Sequence, residues 1–293
     1  MPDRTPPPEG TDALTNATTA TTDGGLLPLA EFDGDAGLFA PRPPRGLGAG
    51  ACPAAAVLCF FPEVLADLQR SGRGRPLGTF SADSGGGTIL EVTTPHGPVT
   101  AFHPGVGAPL AVLHLEVAVA AGVTDVVACG GAGAVRPGLA LGHVVVPTGA
   151  LRDEGTSHHY RPAGRLIATD PDVAAHLVDV LVRHDVPHTR GLTWTTDAPY
   201  RETPARIARR RAEGCVTVEM ETAALAAACA HRGVRFGQFL YAGDDVSGPV
   251  WAHRSWTRAQ IRAALFELAA EAVTTLGPPS GPFRRAGDGT AGA

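Results

Sequence analysis

Residues 214–233 read Gly214-Cys-Val-Thr-Val-Glu-Met-Glu-Thr-Ala-Ala-Leu-Ala-Ala-Ala-Cys-Ala-His-Arg-Gly233. Val216 and Val218 alternate as in a short strand, and Glu219, Met220 and Glu221 then open an alanine-rich helix that Gly233 can stop in a left-handed conformation. Two acids therefore stand at a strand-to-helix joint. Two residues apart, they cannot share a helix face, so at most one points into a given pocket while the other serves backbone amides. A carboxylate in apolar surroundings costs on the order of several kcal/mol unless something pairs with it or donates to it. Substrate hydroxyls would do so, and so would the helix dipole; this stretch alone leaves both open.

Outward from the joint the chain alternates between strands and helices. Residues 54–61 form an apolar run suited to a buried strand, 62–70 a helix, and 88–93 and 99–103 two further strands. The turn Gly105-Val-Gly-Ala-Pro109 leads into a helix over 110–121, a strand over 124–129, the glycine cluster of Gly130, Gly131 and Gly133, and a strand near 143–147. Asp170-Pro171 is an N-cap and first-turn pair for a helix to about residue 184, and residues 191–196 read as a strand. Thr203-Pro204 starts a short basic helix, 236–242 is a strand, and Ser255 or Thr257 caps a last helix to about residue 276. The expected fold is α/β, a three-layer αβα arrangement with a central mixed, mostly parallel sheet.

The flanks differ. Residues 1–25 and 277–293 carry few large apolar side chains and read as disordered tails around one domain over 26–276. The net charge of −5, with no Lys/Arg-rich block except at Arg209, Arg210 and Arg211, excludes an electrostatic footprint for nucleic acid or an anionic membrane. Cys52, Cys59, Cys129, Cys215 and Cys229 form no CxxC pair and sit mostly in apolar runs, which points to free thiols in a reducing compartment and to no metal site. No stretch approaches the roughly 18 apolar residues of a membrane span, so a cytoplasmic protein is expected.

In an open α/β sheet, ligands bind at the carboxyl ends of strands. The polar clusters fall there: residues 105–107, 130–133, 152–160, 195–201, 219–221, and Asp244 with Asp245. The ordered set of Gly105-Val-Gly-Ala-Pro109, Gly133-Ala-Val-Arg-Pro137, Arg152-Asp-Glu-Gly-Thr-Ser-His-His-Tyr160, Thr195-Thr-Asp-Ala-Pro-Tyr200 and Val218-Glu-Met-Glu221 resembles the purine/uridine phosphorylase family, which includes the related nucleosidases, over about residues 54–275.

The resemblance implies cleavage of a nucleoside's N-glycosidic bond, through a transition state in which the sugar is cationic and the base departs. It implies that Glu221 binds the ribose hydroxyls and that Met220 packs against the sugar, with Glu219, Gly107, Gly131, Arg152, His159 and Asp197 as further substrate contacts. By the same resemblance Asp245 is the acid for the base and Asp244 stands at the position of a serine, although a one-residue shift exchanges them; adjacent carboxylates can share one proton. Tyr160, Trp194, Tyr200 and Trp251 are candidates for stacking on the base or for packing in the core.

One part departs from the family. Its phosphorylases carry Gly-Asp-Pro-x-Arg after the first strand, where this chain has Phe60-Phe-Pro-Glu-Val64. The second phosphate arginine is Ala128, and the third, supplied by a neighbouring subunit, would fall near residues 81–87, which lack arginine. Either Arg136, Arg152 or Arg201 substitutes, or the nucleophile is water, activated by Glu63 as in the hydrolase branch. Expected, then, are phosphorolysis with inorganic phosphate as co-substrate and no cofactor, hydrolysis as the alternative, a nucleoside-binding protein without turnover as a third reading, and a homo-oligomer, dimer or hexamer.

Overall fold

The computed structural model describes residues 27–44, 46–80, 87–254 and 258–278. Nearly all of both expected tails, the segment expected to hold the third phosphate position, and the two candidate caps Ser255 and Thr257 lie outside the described residues.

The described strands are β1 (Ala55–Cys59), β2 (Gly74–Thr79), β3 (Thr88–Thr94), β4 (Gly97–Phe102), β5 (Asp125–Ala134), β6 (Val144–Asp153), β7 (Leu166–Ala168), β8 (His188–Thr196), β9 (Cys215–Glu219) and β10 (Arg235–Asp245). The helices are α1 (Pro62–Arg70), α2 (Ala108–Ala120), α3 (Pro171–Arg183), α4 (Pro204–Ala212), α5 (Thr222–Arg232) and α6 (Ala259–Thr274). β2 and β7 were not expected: β2 is rich in glycine and proline and half exposed, and β7 has three residues, so neither carries an apolar alternation.

Local chemistry fixes the element ends. Asp170 caps α3 by accepting from the amides of Asp172 and Val173, Thr203 caps α4 through the amide of Arg206, and Gly233 closes α5 at φ 70°. β1 pairs in parallel with β4 and β5, and β5 in parallel with β10, which makes a parallel centre. β3 and β2 continue antiparallel beyond β4. α1, α3 and α6 pack on one face around Val57, Leu177 and Phe266; α2 and α5 cover the other around Leu58, Leu115 and Leu225. This is the expected α/β layering. The five cysteines are buried within these cores and unpaired.

Beyond the layers, the sheet closes on itself. β5 bonds to β9, β9 to β8, β8 to β6, β6 to β10, and β10 returns to β5. The glycine cluster, expected as a loop, lies inside β5, because strands crowd there: a Cβ on Gly133 would stand 2.9 Å from Val218 Cγ1 on β9. The carboxyl ends of β1, β4, β5, β8, β9 and β10 thereby gather in one region.

Candidate active site

The strand-to-helix joint divides its two acids. Glu219 is the last residue of β9 and not the first of the helix, which begins at Thr222. Its Oε1 accepts from Thr195 Oγ1 at 2.6 Å, and its Oε2 accepts from the amides of Glu221 at 2.7 Å and Thr222 at 2.6 Å. Thr195 in turn accepts from the amide of Ala223. Glu219 therefore caps α5 from within the sheet, and its expected substrate contact is replaced by a framework role.

Glu221 is also buried, yet it makes no cap bond. Its Oε1 accepts from the amide of Gly107 at 2.6 Å, 114 residues away in sequence. Gly107 holds φ 95°, a left-handed conformation that suits glycine and turns its N–H across to β9. Burial pushes the Glu221 carboxyl up to about 8, with the charges of Glu219 and Asp197 adding to the rise and the Gly107 amide opposing it. Met220, between the two acids, is half-buried.

The glycine turn continues the arc. His103, at the end of β4, accepts from the amide of Gly105 and stands edge-on to Phe60, and its pKa is lowered by burial. The Phe60 ring lies 3.3 Å from where a Cβ of Gly130 would be, so an aromatic side chain lies against the glycine cluster at the carboxyl end of β1. Glu63 pairs with Arg262 of α6 at 2.6 Å, and that guanidinium also reaches Tyr241 Oη and lies over the Phe61 ring. Burial pushes the Glu63 carboxyl up, but the Arg262 bond, a backbone amide and the charges of Arg262 and His103 together bring it below the ordinary value. Tyr241 packs against Gly131. Arg262 was not foreseen, because its position in the last helix gave no local sign of which side chain it would meet.

The other expected arginines serve the scaffold. Arg152 is buried and donates to Ser157 Oγ, Pro162 O and Arg161 O, so it ties down the 154–162 loop; its expected substrate contact is corrected to a loop anchor. Arg136 bonds to Thr189 on the surface, and Arg201 is exposed. His159 is exposed at the end of a short 3-10 turn, away from the buried acids. Asp197 is exposed as well; it accepts from the amide of Gly155 at 2.9 Å and so joins the loop after β8 to the loop after β6.

A cavity of about 420 Å³ opens beside these loops, lined among others by Tyr200, Glu202, Ile207, Asp244, Val246 and Trp251. Asp244, and not Asp245, lines it. The ladder between β10 and β5 shifts between Ala242 and Asp245, so one extra residue on β10 reverses the alternation and turns Asp245 to the other side. There Asp245 accepts from the amide of Ser247 and faces Arg254 at 3.7 Å. Asp244 instead accepts from Trp251 Nε1 at 2.6 Å. Asp244 thus faces the cavity and Asp245 the loop beside it.

Of the four aromatic candidates, Tyr200 and Trp251 stand at the cavity. Trp194 is core, with Nε1 bonded to Asp153 and Arg206 and Arg210 over its ring, and Tyr160 packs on His231. Glu202 had been overlooked, since an acid before Thr203-Pro204 reads as an ordinary helix-start charge. Burial and the charge of Asp244 push its carboxyl up to about 7, against Arg206.

Residues 54–274 match the model of the phosphorylase superfamily. The chain belongs to that superfamily. It is similar to a guanosine phosphorylase of Halorubrum lacusprofundi, 30% identical over 139 residues that cover 47% of this chain and 58% of the relative. It is equally similar to a uridine phosphorylase of Treponema pallidum, 30% identical over 165 residues, 53% of this chain and 62% of the relative. A uridine phosphorylase of Escherichia coli is 27% identical over 154 residues, 48% of this chain and 61% of the relative. The chain thus matches less than two thirds of the length of each of these relatives. Among the described residues, no helix is long and apolar enough to cross a membrane.

Proposed function

We propose that this protein cleaves the N-glycosidic bond of a nucleoside, with phosphate as the acceptor. The observation that carries the reading is Glu221, a buried carboxyl held by a distant glycine amide at the carboxyl ends of the strands. As the bond breaks, positive charge grows on the sugar. Glu221, whose carboxyl lies at about 8 in the free site, binds the sugar hydroxyls, and the growing positive charge favours its ionised form, so the interaction is strongest in the transition state, which is the condition for catalysis rather than tight ground-state binding. Glu219 keeps the joint rigid, and the 420 Å³ cavity receives the base. Phosphate is the acceptor implied by the relatives' names, and we propose a cytoplasmic homo-oligomer, dimer or hexamer, from the family resemblance of the sequence motifs.

A second reading, hydrolysis, is favoured by the side chains at the acceptor end. Phe60 fills space against the glycine cluster, and Glu63, just after β1 and paired with Arg262, is the carboxylate that would take a proton from water in this reading. Chromatography of a nucleoside panel, in phosphate-free buffer and again with millimolar phosphate or arsenate, separates the two. Base release that requires the anion supports phosphorolysis. Equal release without it moves the mechanism to Glu63 and water, and tight binding with no release from any nucleoside overturns the enzymatic reading. Light scattering checks the oligomer, which a monomer of 30.0 kDa would exclude.

A further inference from the structure

The cavity holds two carboxyls from different elements: Glu202, just ahead of α4, and Asp244, from the bulged end of β10. Their partners are unequal. Asp244 accepts the indole N–H of Trp251 at 2.6 Å. Glu202 is half-buried, with Pro199, Pro204 and Ile207 among the apolar lining around it. The nearest cation, Arg206, is committed to Asp153 at 2.5 Å and to the carbonyl of Arg201. Arg254 touches the other side of this loop, at the carbonyls of Gly243 and Asp244, and His253 stands edge-on to Trp251. Two carboxyls that face one cavity, one of them already supplied with a donor, are most stable with a single proton, carried by the other.

We propose that Glu202 and Asp244 read the outer edge of the base as a donor–acceptor pair, with a protonated Glu202 donating to a ring carbonyl and Asp244 accepting the adjacent ring N–H. The pair then selects bases with an oxo group next to an N–H, such as hypoxanthine, guanine or uracil, over those with an amino group there. Tyr200 and Trp251 supply the flat walls. The proposal rests on the cavity being the base pocket, and it adds what that pocket selects and how pH controls it.

The proton makes the selection pH-dependent. The Glu202 carboxyl lies at about 7, so the donor is present below that value and lost as pH rises through it. If only the protonated form binds, affinity scales with that fraction and falls about tenfold from pH 6 to pH 8.

Direct binding of free hypoxanthine and of intact inosine, measured by calorimetry from pH 5.5 to 8.5, tests this without requiring turnover. The expected result is an alkaline loss of about tenfold in the native protein and a flat profile in Glu202→Gln, which keeps a donor at every pH, with affinity near the native value at pH 6. Glu202→Ala should bind weakly at all pH values, its fold confirmed by an unchanged melting profile. A pH loss that persists in Glu202→Gln assigns the titration to another group, His253 being nearest, and overturns the proposal. So does adenine binding that matches hypoxanthine in both affinity and pH profile. A protein that shows the expected binding but releases no base would sink the enzymatic reading and leave this one standing.

Discussion

Two pairs of carboxyls sit at the same end of the sheet, and the fold treats them in opposite ways. Glu219 and Glu221 are both buried at a backbone joint, where Glu219 takes donors from Thr195, Glu221 and Thr222, and Glu221 takes the Gly107 amide. Glu202 and Asp244 share an open cavity, where Asp244 takes the indole N–H of Trp251. In the first pair the scaffold satisfies one acid so completely that it becomes structure and leaves the other available. In the second, neither is absorbed, so a ligand completes the bonding. The number of framework donors, more than burial, separates a cap from a site.

The largest effect should come from breaking the satisfied acid. Glu219→Gln places an amide N–H₂ against donors, and leaving buried donors unanswered should lower stability by about 3 kcal/mol in a denaturant melt. A loss below about 1 kcal/mol would show that Glu219 is not the cap. Next comes Glu221→Gln, which keeps the shape and removes the charge. We expect kcat/KM on a nucleoside to fall about 100-fold, or about 2.7 kcal/mol, with little change in melting. An unchanged kcat/KM would assign Glu221 to the framework beside Glu219.

A smaller effect links both pairs to pH. Glu221 and Glu202 have carboxyls raised to about 8 and about 7, above the ordinary value of 4.5. Raised folded-state values mean that the folded chain binds these protons more tightly than the unfolded one. Their stabilising contribution is full below the ordinary carboxyl value and is lost as pH rises through 7 and 8. Melting temperature should therefore decline from about pH 4.5 upward and level off above about pH 8. Glu221→Gln should flatten the upper part of that decline and Glu202→Gln the lower part; a decline unchanged in both variants would place the titration elsewhere.

The layered fold was readable because its signals are local. Asp170-Pro171, Thr203-Pro204 and Gly233 mark helix ends by chemistry within a few residues, and the apolar run before Pro62 can only be a buried strand. What the sequence concealed depends on distant partners. Closure of β10 onto β5, the reach of Gly107 to Glu221, and the pairing of Glu63 with Arg262, 199 residues away, leave no periodicity to read. The facing of Asp244 and Asp245 has the same origin, since alternation along β10 gives the wrong face until the extra residue against β5 is seen. Arg152, near the end of β6, shows the same limit: a buried arginine looks the same in sequence whether it meets an anion or, as here, backbone carbonyls.

The finest test of the contrast changes only the single indole donor. Trp251 is 59% exposed, so its bond to Asp244 is partly solvated and should be worth no more than about 1 kcal/mol. Trp251→Phe keeps an aromatic wall and removes the N–H. With that donor gone, the Asp244 charge bears on Glu202 less attenuated, and Glu202 should keep its proton to higher pH. The alkaline edge of hypoxanthine binding should then move upward. Asp244→Asn removes the charge that raises Glu202, and the same edge should move downward. Opposite shifts from two neighbouring substitutions are the signature of a proton shared across the cavity. Shifts of the same sign would mean that both variants merely loosen the loop over residues 244–251, and the cavity pair would then belong with Glu219, to the scaffold.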